Sequence, residues 1–166
     1  YTRARVKSSG EIWSNWSSGF QFSTIQPGNI LTSFNTPGGA PKALTVDSNG
    51  NLINGDSTNP GTIYIHDGIS STITNSFSSP GNVPTGLAID SSGNLISSDT
   101  STDPGKIYVH DGISATITSS FNSPGGSPFG LTIDSNGNLI SSDGIADTIY
   151  IHDGISSTTT NSFSSP

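Results

Sequence analysis

One unit is written three times along this chain. Gly86-Leu-Ala-Ile-Asp-Ser-Ser-Gly-Asn-Leu-Ile-Ser-Ser-Asp99 recurs as Ala43-Leu-Thr-Val-Asp-Ser-Asn-Gly-Asn-Leu-Ile-Asn-Gly-Asp56. It returns once more as Gly130-Leu-Thr-Ile-Asp-Ser-Asn-Gly-Asn-Leu-Ile-Ser-Ser-Asp143. A second stretch, Ile63-Tyr-Ile-His-Asp-Gly-Ile-Ser70, is echoed at 107–114 and 149–156. Asp47 and Asp90 lie 43 residues apart, and Asp90 and Asp134 lie 44 apart. Self-similarity at this period belongs to propellers and solenoids, in which each unit buries its apolar face against the next.

Each unit reads as four short strands. Strand a covers 87–90, with Leu87 and Ile89 on one face. The following Ser-x-Gly-Asn is a tight hairpin, because Gly and Asn accept positive φ. Strands b, c and d cover 94–98, 106–110 and 116–121, and a Pro/Gly-rich crossing leads on. Four antiparallel strands in such a unit predict an all-β fold, a β-propeller of four-stranded blades over 35–77, 78–121 and 122–163.

Residues 30–34 match the closing strands of the later units and are expected to form an extra strand d0 that completes the last blade of a closed ring, so the blade region spans 30–166. Three blades do not close a ring, since propellers have about four to eight. The expectation is a chain that continues into further blades, or a ring completed by a second copy.

Gly-Leu-Ala-Ile-Asp90, Gly93-Asn-Leu95 and Lys106-Ile-Tyr-Val-His-Asp111 stand where NHL repeats carry their recurrent motifs. Residues 30–166 thus resemble the NHL and streptogramin-lyase-like propellers. Residues 1–26 are different. Tyr1-Thr-Arg-Ala-Arg-Val-Lys7 alternates, a turn follows, and Ile12-Trp-Ser-Asn-Trp-Ser17 begins a second run. This segment resembles the last two strands of a fibronectin type III domain, and Trp13-Ser-Asn-Trp-Ser17 is similar to the Trp-Ser box of cytokine-receptor modules. That resemblance implies a ladder of Arg3, Arg5 and Lys7 interleaved with Trp13 and Trp16. Cation on indole contributes about 0.5–2 kcal/mol per pair. Residues 27–29 are the linker. Asn15-Trp-Ser17 is also a formal N-glycosylation acceptor.

Charge narrows the partners. The net charge is −7 and only 10% of residues are charged, which argues against nucleic acid, whose phosphates demand a Lys/Arg-rich face. Nine of the twelve acids sit at three repeat positions, so the charge follows from copying a unit. There is no Cys, and no run of 18 apolar residues predicts a membrane span.

Candidate chemistry is repeat-encoded too. His66, His110 and His152 share one position, which spreads them over successive blades, too far apart for one ion; they are expected to cap strand c or pack between blades. Asp47, Asp90 and Asp134 are candidate Ca²⁺ or Mg²⁺ ligands, set against the alternative that each accepts N–H bonds within its own turn. Asp56, Asp99 and Asp143 end strand b, and the same turn role is expected of them. No cofactor is assigned.

Spacing singles out one loop. The strand-a Asp lies nine residues before the strand-b Asp in every unit, whereas the b–c interval to the His is ten, eleven and nine residues. The b–c loops are expected on the same face as the crossings, and Ser57, Thr58, Asn59, Thr100, Asp103, Lys106, Gly144 and Asp147 are the candidate interaction residues. Near-identical blades favour an extracellular or cell-surface structural or adhesive protein, acting through contacts between copies in a filament or assembly, or with further blades. The alternative is a propeller that binds carbohydrate or protein on its b–c face. Catalysis needs unequal residues in distinct roles. The expectation is therefore not an enzyme, with a lyase or lactonase as the remaining alternative.

Overall fold

The computed structural model describes residues 5–6, 12–13, 30 and 32–165. The chain divides into two compact units, Tyr1–Ser33 and Phe34–Pro166. In the first, β1 (Arg5–Val6) pairs antiparallel with β2 (Ile12–Trp13), setting Arg5 opposite Trp13 and Val6 opposite Ile12. The side chains of the proposed ladder (Arg3, Arg5, Lys7, Trp13 and Trp16) lie outside the described residues, as do Asn15 and the linker at 27–29.

The second unit is three four-stranded antiparallel sheets, each a meander in chain order. Blade 1 is β3 (Pro41–Val46), β4 (Leu52–Asp56), β5 (Thr62–His66) and β6 (Ile73–Ser78). Blade 2 is β7 (Pro84–Ile89), β8 (Leu95–Asp99), β9 (Lys106–His110) and β10 (Ile117–Asn122). Blade 3 is β11 (Pro128–Ile133), β12 (Leu139–Asp143), β13 (Thr148–His152) and β14 (Thr159–Ser164). Among the described residues no helix is long and apolar enough to cross a membrane.

Strand a starts three residues earlier than its apolar alternation indicates. It opens on Pro41, Pro84 or Pro128, and the register then shifts before Ala43, Gly86 and Leu131. Proline has no N–H to give a ladder, so the first residue of a strand beside a bulge is where it fits. The a–b hairpin turns on Gly50, Gly93 or Gly137, all at φ of 84° or 85°, a conformation that L side chains rarely adopt.

Within this chain residues 32–36 form no strand; d0 is expected to pair with the last blade of a closed ring, and the three sheets are not closed. Strand d pairs with strand c of its own blade, as β6 does with β5.

The core lies between blades. Ala43, Ile53, Ile63 and Ile65 of blade 1 meet Leu87 and Leu95 of blade 2. Ile96 and Ile107 of blade 2 meet Leu139 of blade 3. Blade 2 is therefore covered on both faces, and Leu87 and the neighbouring Ala88, on opposite faces of β7, are both buried. Among the described residues the sheets are not closed into a ring, and no further blade covers the outer face of blade 3 or, beyond Phe34, that of blade 1.

Candidate functional site

The repeat-encoded polar residues do three separate jobs. Asp47, Asp90 and Asp134 sit at the a–b hairpins. Asp47 Oδ1 accepts the N–H groups of Asn49 and Asn51 at 2.9 and 2.8 Å, and its Oδ2 accepts the Asn51 amide at 2.9 Å. Asp90 and Asp134 repeat the pattern with Ser92 and Asn94, and with Asn136 and Asn138. Burial raises the Asp47 carboxyl, but the bonds from Asn51, Asn49 and Gly50 outweigh it and hold the group below 3.8. For Asp134, bonds from Asn138 lead the same downward shift. Among the described residues, no three His, Cys, Asp or Glu converge as a metal cluster.

The asparagines were missed by sequence reasoning except as turn formers. Asn51 Oδ1 also accepts the Gly68 N–H at 3.0 Å, tying the a–b hairpin to the c–d turn. Asn94 and Asn138 do the same to Gly112 and Gly154. Their presence after Gly in all three units was the available signal.

Each histidine is fully buried and bonded at both ring nitrogens. Nδ1–H donates to the carbonyl of Ser70, Ser114 or Ser156 at 2.6–2.7 Å. Nε2 of His110 and His152 receives the hydroxyls of Ser97 and Ser141, both at 2.9 Å. Burial pushes both imidazoles down, opposed only in part by the bonds to the Ser114 and Ser156 carbonyls. In blade 1 the Asn54 side-chain amide stands 2.7 Å from His66 Nε2. With Nδ1–H given to the Ser70 carbonyl, Nε2 needs a donor, so the amide NH2 faces the ring and the other amide atom is buried without a partner.

The histidines also face a neighbouring phenylalanine. The rings of Phe77 and His110 are 5.8 Å apart and tilted by 56°, and those of Phe121 and His152 are 5.8 Å apart at 55°. Each Phe closes the blade before the His, so the contact crosses the blade boundary. Phe34 holds the same place over His66, at 5.8 Å and 50°.

Asp56, Asp99 and Asp143 do more than serve their own turn. Asp56 accepts from Thr58 N–H at 2.8 Å and from the Thr58 hydroxyl in the b–c loop, and from Ala40 N–H at 2.9 Å in the crossing. Burial raises its carboxyl, and the bonds from Thr58 and Ala40 outweigh that and lower it below 3.8. Asp99 joins Ser101 to Val83, and Asp143 joins Ile145 and Ala146 to Ser127. These carboxylates fasten the crossing to the b–c loop, which places the two on one face. Ser57 and Thr100 add backbone bonds to Ala40 and Val83, and Gly144 bonds Ser127. Thr58, Asn59, Asp103 and Asp147 are exposed on that face, with Asp147 at φ 46°, while Lys106 is half-buried at the start of β9.

The b–c loop of blade 3 differs from the others. Phe129 is exposed where blade 2 has the buried Thr85, and its ring lies against Gly144, next to the exposed Ile145.

No family model and no curated relative matches the chain. Solved structures do. The WD40 repeats of RRP9 match at 15% identity with a TM-score of 0.59, over 75% of this chain and 38% of that one. The glutaminyl cyclase of Myxococcus xanthus matches at 17% identity with a TM-score of 0.60, over 75% and 50%. The Dos1 propeller matches at 17% identity with a TM-score of 0.51, over 69% and 31%. The chain spans between about a third and one half of the length of these neighbours. The fold is that of β-propeller blades. The expectation that such a chain is not an enzyme is corrected: an enzyme, the glutaminyl cyclase, is built on this fold, so a propeller fold does not by itself argue against catalysis. At this identity the likeness concerns fold and assigns no activity.

Proposed function

We propose that the chain is an extracellular or cell-surface structural protein of NHL type, preceded by a fibronectin-like strand pair, working through contacts between copies or with further blades. One observation carries the proposal. Among the described blade residues, the exposed large hydrophobics are Leu44, Val46 and Ile69 of blade 1 and Phe129, Ile145 and Phe163 of blade 3. Blade 2 has none. Concentrated apolar surface marks interaction sites. The NHL resemblance is supported by where its motifs fall: Gly-Leu-Ala-Ile-Asp on strand a, Gly-Asn-Leu on the hairpin, and Lys-Ile-Tyr-Val-His on β9.

Sedimentation velocity over a range of concentrations tests the assembly reading. Growth of the sedimentation coefficient with concentration is expected, and a monomer throughout overturns contact between copies.

A second reading rests on Phe129, Gly144 and Ile145. An exposed aromatic face over a glycine, present in one blade only, suits a sugar ring or an apolar side chain of a protein ligand. Binding on a glycan array that is lost in Phe129→Ala supports it, and an array without hits removes the carbohydrate branch.

A further inference from the structure

The two contacts between blades are built from equivalent residues. The leading face of each blade presents the Ile of strands b and c and the Phe of strand d: Ile53, Ile63 and Phe77 in blade 1, Ile96, Ile107 and Phe121 in blade 2. The trailing face of the next blade receives them with strand-a and strand-b side chains. These are Leu87, Ile89 and Leu95 in blade 2, and Leu131, Ile133 and Leu139 in blade 3.

Among the described residues both halves recur without a facing blade, the trailing half on blade 1 and the leading half on blade 3. Leu44 and Val46 stand at the positions of Leu87 and Ile89; Leu87 is 4% exposed, whereas Leu44 is 63% and Val46 47% exposed. At the other end Phe163 occupies the position of Phe77 and Phe121 and is 51% exposed. Its neighbours Ile149 and Ile151 are only half-buried, although the equivalent Ile63 and Ile65 are buried.

We infer that the leading face of blade 3 docks on the trailing face of blade 1 of a second copy of this chain. The contact is continuous with an interface the chain already forms twice within itself, with the same residue types on each side. Two different patches of one protomer make a head-to-tail contact, which extends or closes only through successive copies.

Phe34 modulates that contact. It covers His66 as Phe77 covers His110, so it holds the place that an incoming Phe163 takes. Phe34 is thus an internal plug, displaced on docking.

This inference rests on the assembly reading above and is tested separately from it. Val46→Lys blocks the trailing face and Phe163→Asp blocks the leading face. Both sites are exposed in the single chain, so each variant keeps its fold, checked by its melting curve. Sedimentation of the 166-residue chain should show each variant monomeric alone, with association weakened by more than about tenfold. An equimolar mixture should give 1:1 dimers and nothing larger, because one usable face remains on each partner. Phe34→Ala should tighten self-association of the parent. If the parent and Phe34→Ala both stay monomeric, this inference and the assembly reading fail together. If the parent associates but the two blocked variants associate as it does, or their mixture stays monomeric, assembly stands and the face assignment is overturned.

Discussion

Gly38 lays its backbone against the carboxylate of Asp56 so closely that a Cβ on it would overlap that group. Gly81 stands in the same relation to Asp99, and Gly125 to Asp143. Gly38→Ala forces the carboxylate away from Ala40 and Thr58 and should destabilise by about 2 kcal/mol. Gly39→Ala is the control. Its Cβ would meet only the Thr58 methyl at 3.5 Å, and a change within about 0.5 kcal/mol is expected. Urea unfolding of both variants checks the contrast.

Acid should weaken the fold in two stages. Burial holds His110 and His152 below their usual 6.5, so the unfolded chain takes up protons first as pH falls. Their contribution is whole above 6.5 and declines as pH drops from there to the lower folded values. The slope is at most about 1.4 kcal/mol per pH unit for each histidine. Asp47, Asp56 and Asp134 are held below 3.8, so their contribution is whole above 3.8 and disappears as pH falls through their folded values. Urea midpoints between about pH 7.5 and 5.5 should fall with pH; a flat profile contradicts the histidine account.

Blade 1 can be made to resemble its neighbours. Asn54 occupies the position of Ser97 and Ser141 and carries one buried amide atom without a partner. Asn54→Ser supplies the hydroxyl that the other blades offer their histidine and removes the orphaned amide atom, so a gain of about 1 kcal/mol is expected. Asn54→Leu leaves His66 Nε2 without a partner and should cost about 1–3 kcal/mol. Calorimetric melting of the two variants separates hydrogen bonding from packing.

The same residue type at the same repeat position should behave differently along the array. Phe121→Ala uncovers His152 and leaves a space at the boundary of blades 2 and 3, at a cost of about 2–3 kcal/mol. Phe163→Ala removes a ring already half in water and should cost less than about 1 kcal/mol in the single chain. Equal losses in denaturant titrations would contradict the boundary role of the phenylalanine.

Much of this architecture was legible in the chain. Alternation and turn residues located the four strands of each blade, and the constant nine residues between Asp47 and Asp56 made the a–b hairpin rigid in length. The Gly38–Asp56 contact was also within reach, since the same 18 residues separate Gly81 from Asp99 and Gly125 from Asp143. The Phe–His contacts were not. Phe77 lies 33 residues before His110 and Phe121 lies 31 before His152, because the variable b–c loop falls between them. Position 34 shows the limit from the other side: its resemblance to a strand-d Phe foretold where the ring sits, but pairing of that segment needs the strand c of a blade other than these three.

The phenylalanine–histidine contacts turn the row of blades into a chain of nearest-neighbour links. Each blade is coupled to the next at one joint, and no blade contributes to a joint it does not touch. Opening therefore begins at whichever end has lost its neighbour and travels inward. The backbone amides of β8 exchange with solvent last, because two joints must fail before they are reached.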